Sequence, residues 1–213
     1  MKTIWFSADT HYSHANVISL CNRPFCNIYE HDQVLIQNHN SVVSNEDDYY
    51  FLGDFAFRCS AERVLEIIKR LNFRKMYFLF GNHDKAMRQA IQRGMLDKEI
   101  NNGKIEIIGG KEPITDPTIA ISKMLDINGQ KIFISHYGHR TWPGAFRNCI
   151  HLYGHSHSNL LPLYKSMDVG IDVKTETHKR FFPWSFEEIL FAMNNVKEEF
   201  SEKIKTENSE CII

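Results

Sequence analysis

The chain has 213 residues, 43% of them hydrophobic and 24% charged, with a formal net charge of −1 at pH 7. That length suits one large α/β domain with a well-buried core, and the composition excludes a disordered or fibrous chain. A charge this close to zero excludes a general electrostatic attraction to nucleic acid or to an anionic membrane, so an anionic ligand has to be held locally.

In chain order, residues 3–8 read as a buried strand, rich in β-branched and aromatic side chains, that ends at Asp9-Thr10-His11. A helix starting near Ser13 follows, with His14 and Asn16 as its plainest caps, and a less regular helical face runs through Val34, Leu35, Asn38 and Val42. Residues 49–52 form a second strand that closes on Gly53-Asp54. Val64, Leu65, Ile67, Ile68 and Leu71 then place an apolar stripe on a helix over 60–72. A third strand over 76–80 closes on Gly81-Asn82-His83-Asp84, with Asp84 as the cap of a helix over 85–93. Strand and helix in alternation imply a parallel sheet with right-handed crossovers.

Strands dominate the second half. Asn128-Gly129 is a hairpin signal between 124–127 and 131–135, which leads into Ser135-His136. Residues 148–153 precede Gly154-His155-Ser156-His157, and 167–173 form one more strand candidate. Ser185-Phe186-Glu187-Glu188 is a capping box opening a final helix to about Asn195. The chain therefore reads as one domain over 1–196 with a polar tail over 197–213. An α/β unit joined without a linker to a β-rich unit predicts two mixed β-sheets packed face to face with helices on the outside, a four-layer α-β-β-α sandwich.

The polar islands at the strand ends carry the chemistry. Asp9 and His11 are two residues apart, as are His155 and His157, a spacing that lets both side chains converge on one ion. Asp54 can bridge two cations with its two oxygens, and the Asn82 side chain is an unusual ligand whose oxygen suits a hard or borderline ion. Each island alone is weak evidence: Asp-x-His is common, and a lone histidine such as His136 is more often a satisfied core residue. Together, all at strand ends, they point to a shared metal site.

In this order the islands resemble the blocks D-x-H, G-D, G-N-H-D/E, H and G-H-x-H of the calcineurin-like metallophosphoesterase superfamily, over roughly Thr3 to Leu190. Residues 9–18, 22–25 and 151–157 look most like a small bacterial and phage phosphoesterase group within it. The resemblance implies one metal held by Asp9, His11, Asp54 and His157, and a second by Asp54, Asn82, His136 and His155. It also implies a metal-bridging hydroxide that attacks phosphorus in line while His83, not itself a ligand, protonates the leaving alkoxide. Two divalent metal ions are expected, Mn2+ first, with Fe2+, Zn2+ or Ni2+ as alternatives. Arg58, His14 and Arg140 are candidate substrate contacts, although a solvated loop position is a plain alternative for the arginines.

Protein phosphatases of this superfamily carry G-D-x-V-D-R-G, whereas Gly53 to Cys59 keeps the arginine and places Phe57 at the second aspartate. That substitution argues against a phosphoprotein substrate and removes the carboxylate that would support His83. Asp168 and Asp172 read as outward or supporting carboxylates that could orient a ligand histidine. The expected activity is hydrolysis of a small phosphodiester or phosphomonoester. A metal-dependent nuclease of the same superfamily is the alternative, and Lys174, Lys179, Arg180, Phe181, Phe182 and Trp184 form a local basic-aromatic cluster that reads better as a core-edge loop. A non-catalytic scaffold is disfavoured because every ligand position is filled. The odd number of cysteines, none in a Cys-x-x-Cys pair, and the lack of an apolar run of about 18 residues predict a cytoplasmic protein without a membrane segment.

Overall fold

Four short strands, β1 (Ile4–Ser7), β2 (Asp48–Phe51), β3 (Lys75–Phe78) and β4 (Ile105–Ile107), lie parallel in one sheet, with β9 (Trp184–Ser185) antiparallel to β1. This computed structural model describes residues 2–108 and 122–194, and the polar tail expected over 197–213 lies outside them. The sheet order β4-β3-β2-β1-β9 puts β2 at the centre, where all four of its residues are buried. A second sheet, in the order β5-β6-β7-β8, holds β5 (Ser122–Ile127), β6 (Gln130–Ser135), β7 (Ile150–Tyr153) and β8 (Ser166–Asp168). Here β5 and β6 are antiparallel, while β6, β7 and β8 run parallel. Both sheets are thus mixed, and they pack face to face with helices outside, as the sequence predicts.

One apolar core joins the two sheets: Phe6, Phe51 and Phe78 from the first share it with Ile132, Ile134, Leu152 and Met167 from the second. The helices are α1 (Val17–Leu20), α2 (Ile28–Val42), α3 (Ala61–Arg70), α4 (Lys85–Gln92), α5 (Asp97–Asn101) and a last one, α6, over 186–194. In α3, Ser60 caps the N-terminus by accepting from the Arg63 N–H, and Val64, Ile67 and Ile68 bury the predicted stripe. The Asn128-Gly129 turn has φ of 52° and 85°, the double left-handed pair that a two-residue hairpin requires. Ser185 and Glu188 close their capping box in both directions.

Two local expectations are corrected. Helix α2 begins at Ile28, well before the apolar face read from Val34, because the Asn27 side chain accepts from the Glu30 N–H and the Glu30 carboxylate accepts from the Cys26 N–H. Helix α1 begins only at Val17, and Asn16 makes no capping bond; the Ser13 N–H is taken instead by the Asp32 carboxylate. The short β4, β9 and α5 carry too few residues for any period to show.

His39 on α2 is buried, its Nε2 2.8 Å from the Asn72 carbonyl, and burial lowers its pKa to about 4. The unfolded ring takes up a proton near 6.5, so the folded chain binds fewer protons between about 6.5 and 4. The stabilisation His39 supplies is therefore full above 6.5 and lost as pH falls toward 4. Urea denaturation of the wild type and of His39→Gln is expected to show a stability difference that narrows from pH 7 to pH 5; a constant difference would contradict a neutral buried ring.

Candidate metal centre

The parallel register decides where the polar islands meet. Ser7, Phe51 and Phe78 are aligned across β1, β2 and β3, so the loops carrying Asp9, Asp54 and Asn82 leave the sheet at one edge. In the second sheet β6 and β7 are also parallel, with Ile134 beside Leu152, which brings His136 to the loop of His155 and His157. Backbone bonds tie these loops together: the Asp9 N–H donates to the Gly53 carbonyl at 2.9 Å, His11 N–H to Asp54 at 3.0 Å, and Gly154 N–H to His136 at 3.0 Å.

Two donor groups result. Single donor atoms of Asp9, His11 and His157 lie within 4.8 Å of one another, and so do those of Asp54, His136 and His155. Asp54 Oδ2 lies between the groups, 3.5 Å from His11 Nε2 and 3.4 Å from His136 Nε2. Asn82 joins the second group, its Oδ1 3.1 Å from His136 Nε2. Asp9 Oδ1 and both ring nitrogens of His11 are buried without a hydrogen-bond partner. An unpartnered buried polar atom costs about 1–3 kcal/mol, and a cation is the partner this set of oxygens and imidazoles fits.

The backbone here is unusual. Asp9, His11, Asp54, His155 and His157 all have positive φ, between 47° and 66°. Such a conformation is uncommon for residues other than glycine and costs of order 1 kcal/mol each, so the surroundings must impose it. Gly81 is part of what allows it, since a Cβ there would stand 2.1 Å from Asp54 Oδ1.

Buried polar side chains hold the loops in place. Asp84 accepts from the N–H groups of Gly81, Asp54 and Phe55 at 2.7, 2.9 and 2.7 Å. It stands first in line before α4 but makes no side-chain cap, which corrects the expectation: its oxygens are already committed to the two strand-end loops. Arg23, with a fully buried side chain, donates to the carbonyls of Asp9 and Thr10 and bidentately to Asp172. Asp172 in turn holds His157 Nδ1 at 2.7 Å, which turns Nε2 toward the donor group. Asp168 accepts from Ser156, Ser158 and Gly170 and fixes the turn around His157. Both late aspartates are buried and supporting, not outward.

Burial is the largest influence on the titrating groups. It lifts the Asp9 carboxyl to about 7 and pushes His11 well below its ordinary value. At His136 burial opposes the cation, but the Asp54 carboxylate outweighs it and raises the ring to about 9. At His157 Asp172 has the same effect, raising it to about 10. Despite burial, Asp54 and Asp172 are held below the usual carboxylate range, chiefly by these imidazoles. Such groups take up a divalent cation with release of protons.

His83 stands beside the centre, its ring 5.6 Å from that of His11 and edge-on to Phe57 at 4.8 Å. Phe57 also packs on His14 at 4.2 Å, and the exposed Arg58 lies over its ring at 5.1 Å. Arg140 is exposed on the loop after β6 and makes no hydrogen bond or ion pair with these residues. Arg23 and Tyr137 are the participants that sequence reasoning missed. Arg23 sits in a stretch that resembles the phosphoesterase group, but its role depends on Asp172, 149 residues away. Part of the basic-aromatic cluster makes internal contacts: Arg180 bonds the Cys21 and Asn22 carbonyls and Asp172, Phe181 packs on Phe25, and Trp184 is buried against His178, while Lys174 and Lys179 are exposed.

Comparison with known proteins places the family and the fold. A family model described as calcineurin-like phosphoesterase matches residues 2–187. An uncharacterised protein of Methanocaldococcus jannaschii is 31% identical over 181 residues, covering 81% of this chain and 84% of its own. A crystal structure of a protein of unknown function from Aquifex aeolicus shares the fold with a TM-score of 0.60 at 23% identity, over 89% of this chain and 98% of that one.

Removing Arg23 takes the bidentate partner from a buried carboxylate and the donor from two loop carbonyls. Arg23→Met is therefore expected to lose about 3–5 kcal/mol of stability, as for a broken buried pair. Asp172→Asn, which keeps the shape, should weaken divalent-ion binding roughly 10–100-fold. Denaturation and calorimetric metal titration read the two effects separately; an unchanged metal affinity in Asp172→Asn would contradict the orienting role.

Proposed function

Because the chain belongs to the calcineurin-like phosphoesterase family, a family of metal-dependent phosphoesterases, we propose that it hydrolyses a small phosphodiester or phosphomonoester with two divalent cations. The observation that carries this reading is the place of Asp54 Oδ2, within 3.5 Å of an imidazole nitrogen from each donor group. Asp9, His11, Asp54 and His157 would hold one cation, and Asp54, Asn82, His136 and His155 the other. When bound, such a pair lowers the pKa of water to about 7 and neutralises phosphoryl oxygens.

The chain's own side chains supply the rest. His83, half-buried with its ring 5.6 Å from that of His11, donates its ring proton to the leaving oxygen. Its ring packs edge-on to Phe57, and its backbone N–H, not its ring, donates to the Asp54 carboxylate at 2.8 Å. Arg58, exposed over the Phe57 ring, is the cation this reading assigns to a substrate phosphate, with His14 against the same ring. A donor set of oxygen and imidazole nitrogen without thiolate does not single out zinc, and manganese is the ion this reading takes first. The nearby thiol, Cys21 Sγ, faces His157 Nδ1, a nitrogen already committed to Asp172.

A small substrate is preferred to a nucleic-acid strand, because Arg180, Phe181 and Trp184 of the basic-aromatic cluster make internal contacts and leave Lys174 and Lys179 as its exposed cations. A cytoplasmic setting agrees with the free cysteines Cys21, Cys26, Cys59 and Cys149. No helix among the described residues is long and apolar enough to cross a membrane.

Activity on aryl phosphodiesters and monoesters in manganese-supplemented buffer tests the proposal. Asp54→Ala is expected to abolish both metal binding and turnover. His83→Ala should leave metal binding intact and cut turnover roughly 100-fold or more, least for substrates with good leaving groups. An equal loss across leaving groups would remove the proton-donor role. Metal-replete protein that turns over no phosphoester would overturn the function.

A further inference from the structure

The two donor groups are not held equally. Asp9, His11, Asp54 and His136 are buried and His157 is half-buried but bonded to the buried Asp172, whereas Asn82 is half-buried and His155 is exposed. One side chain touches both of these looser donors. Tyr137 donates its hydroxyl to Asn82 Oδ1 at 3.3 Å, and its ring lies 4.5 Å from that of His155. Tyr137 is itself anchored, since the Ser135 hydroxyl donates to its carbonyl and its ring packs edge-on to His136 at 5.1 Å.

The hydroxyl matters because of what His136 can offer Asn82. His136 Nδ1 lies 2.8 Å from the Leu52 carbonyl, which only accepts, so Nδ1 carries a proton and Nε2 is the nitrogen turned toward the donor group. Asn82 Oδ1 stands 3.1 Å from that Nε2. An amide NH2 has no lone pair to give a cation, so an ion needs the amide with its oxygen inward. With Nε2 given to an ion, His136 could no longer donate to that oxygen, and a phenol is a better donor than acceptor, so the Tyr137 hydroxyl would keep the amide oxygen inward. A carbonyl oxygen has two lone pairs, one for this hydroxyl and one for an ion.

We propose that Tyr137 is a positioning residue for the second cation, keeping Asn82 Oδ1 turned toward it and backing His155, and so sets that ion's affinity without affecting the first. The inference rests on the dinuclear reading above. It makes the second ion the exchangeable one and Tyr137 the side chain that decides its occupancy.

The test is calorimetric titration of the full chain with Mn2+ alone, together with the electron paramagnetic resonance signal of the coupled ion pair. Tyr137→Phe should weaken the second ion about 10-fold. Tyr137→Ala should weaken it further by also losing the ring contact to His155, and both should leave the first ion unchanged. Asn82→Asp offers an oxygen whichever way it turns, so in that background Tyr137→Phe should shift the second affinity by less than about twofold. Equal weakening of both ions, no weakening, or the same effect in the Asn82→Asp background would overturn the inference alone. A wild-type chain that binds only one ion would overturn the dinuclear reading and the inference with it.

Discussion

Asp54 has each of its oxygens committed to a different task, and the surrounding structure serves that division. Oδ1 accepts the backbone N–H of His83, which draws the loop after β3 onto the loop after β2. Oδ2 is left between His11 and His136, one imidazole from each sheet. A carboxylate in this position is tolerable only where positive charge is close by, because burying an uncompensated anion is expensive. The two sheets therefore meet at a point that demands cations, from protonated imidazoles or from metal.

Holding that point costs backbone strain. Five of the donor residues take left-handed backbone, a conformation no regular strand or helix supplies. The compensation comes from buried polar groups that touch no ion: Asp84 gathers three N–H groups, Arg23 bonds two loop carbonyls and Asp172, and Asp168 fixes the turn around His157. Each is fully partnered, which is the condition under which a buried polar network rigidifies a fold. The loops around the centre are thus rigid even though they lack secondary structure.

Phe57 shows how the same frame accommodates a different neighbour. Where a protein phosphatase of this family places an aspartate, an aromatic ring stands between His83 and His14 and carries Arg58 on its outer side. Shape replaces charge in setting the His83 ring. The neighbours of His83 are consequently an aromatic ring and, on its far side, an exposed cation.

Much of this was legible in the chain itself. The buried strands, the helix over Ala61–Arg70, the Asn128-Gly129 hairpin and the Ser185 capping box are local features, and local periodicity and turn chemistry report them. The islands Asp9, His11, Asp54, Asn82, His136, His155 and His157 were also visible, because a parallel sheet places the residues after its strands along one edge. What the sequence alone could not assign were the roles that need a distant partner. Asp84 looked like a helix cap until the loop after β2 took its oxygens. Arg23 and Tyr137 were silent until Asp172 and Asn82 came within reach. Sequence thus determined which chemistry the strand ends carry, since that is a matter of residue type and order. Only the tertiary structure decided which side chains orient it, because a hydrogen bond between residues far apart in the chain leaves no local pattern.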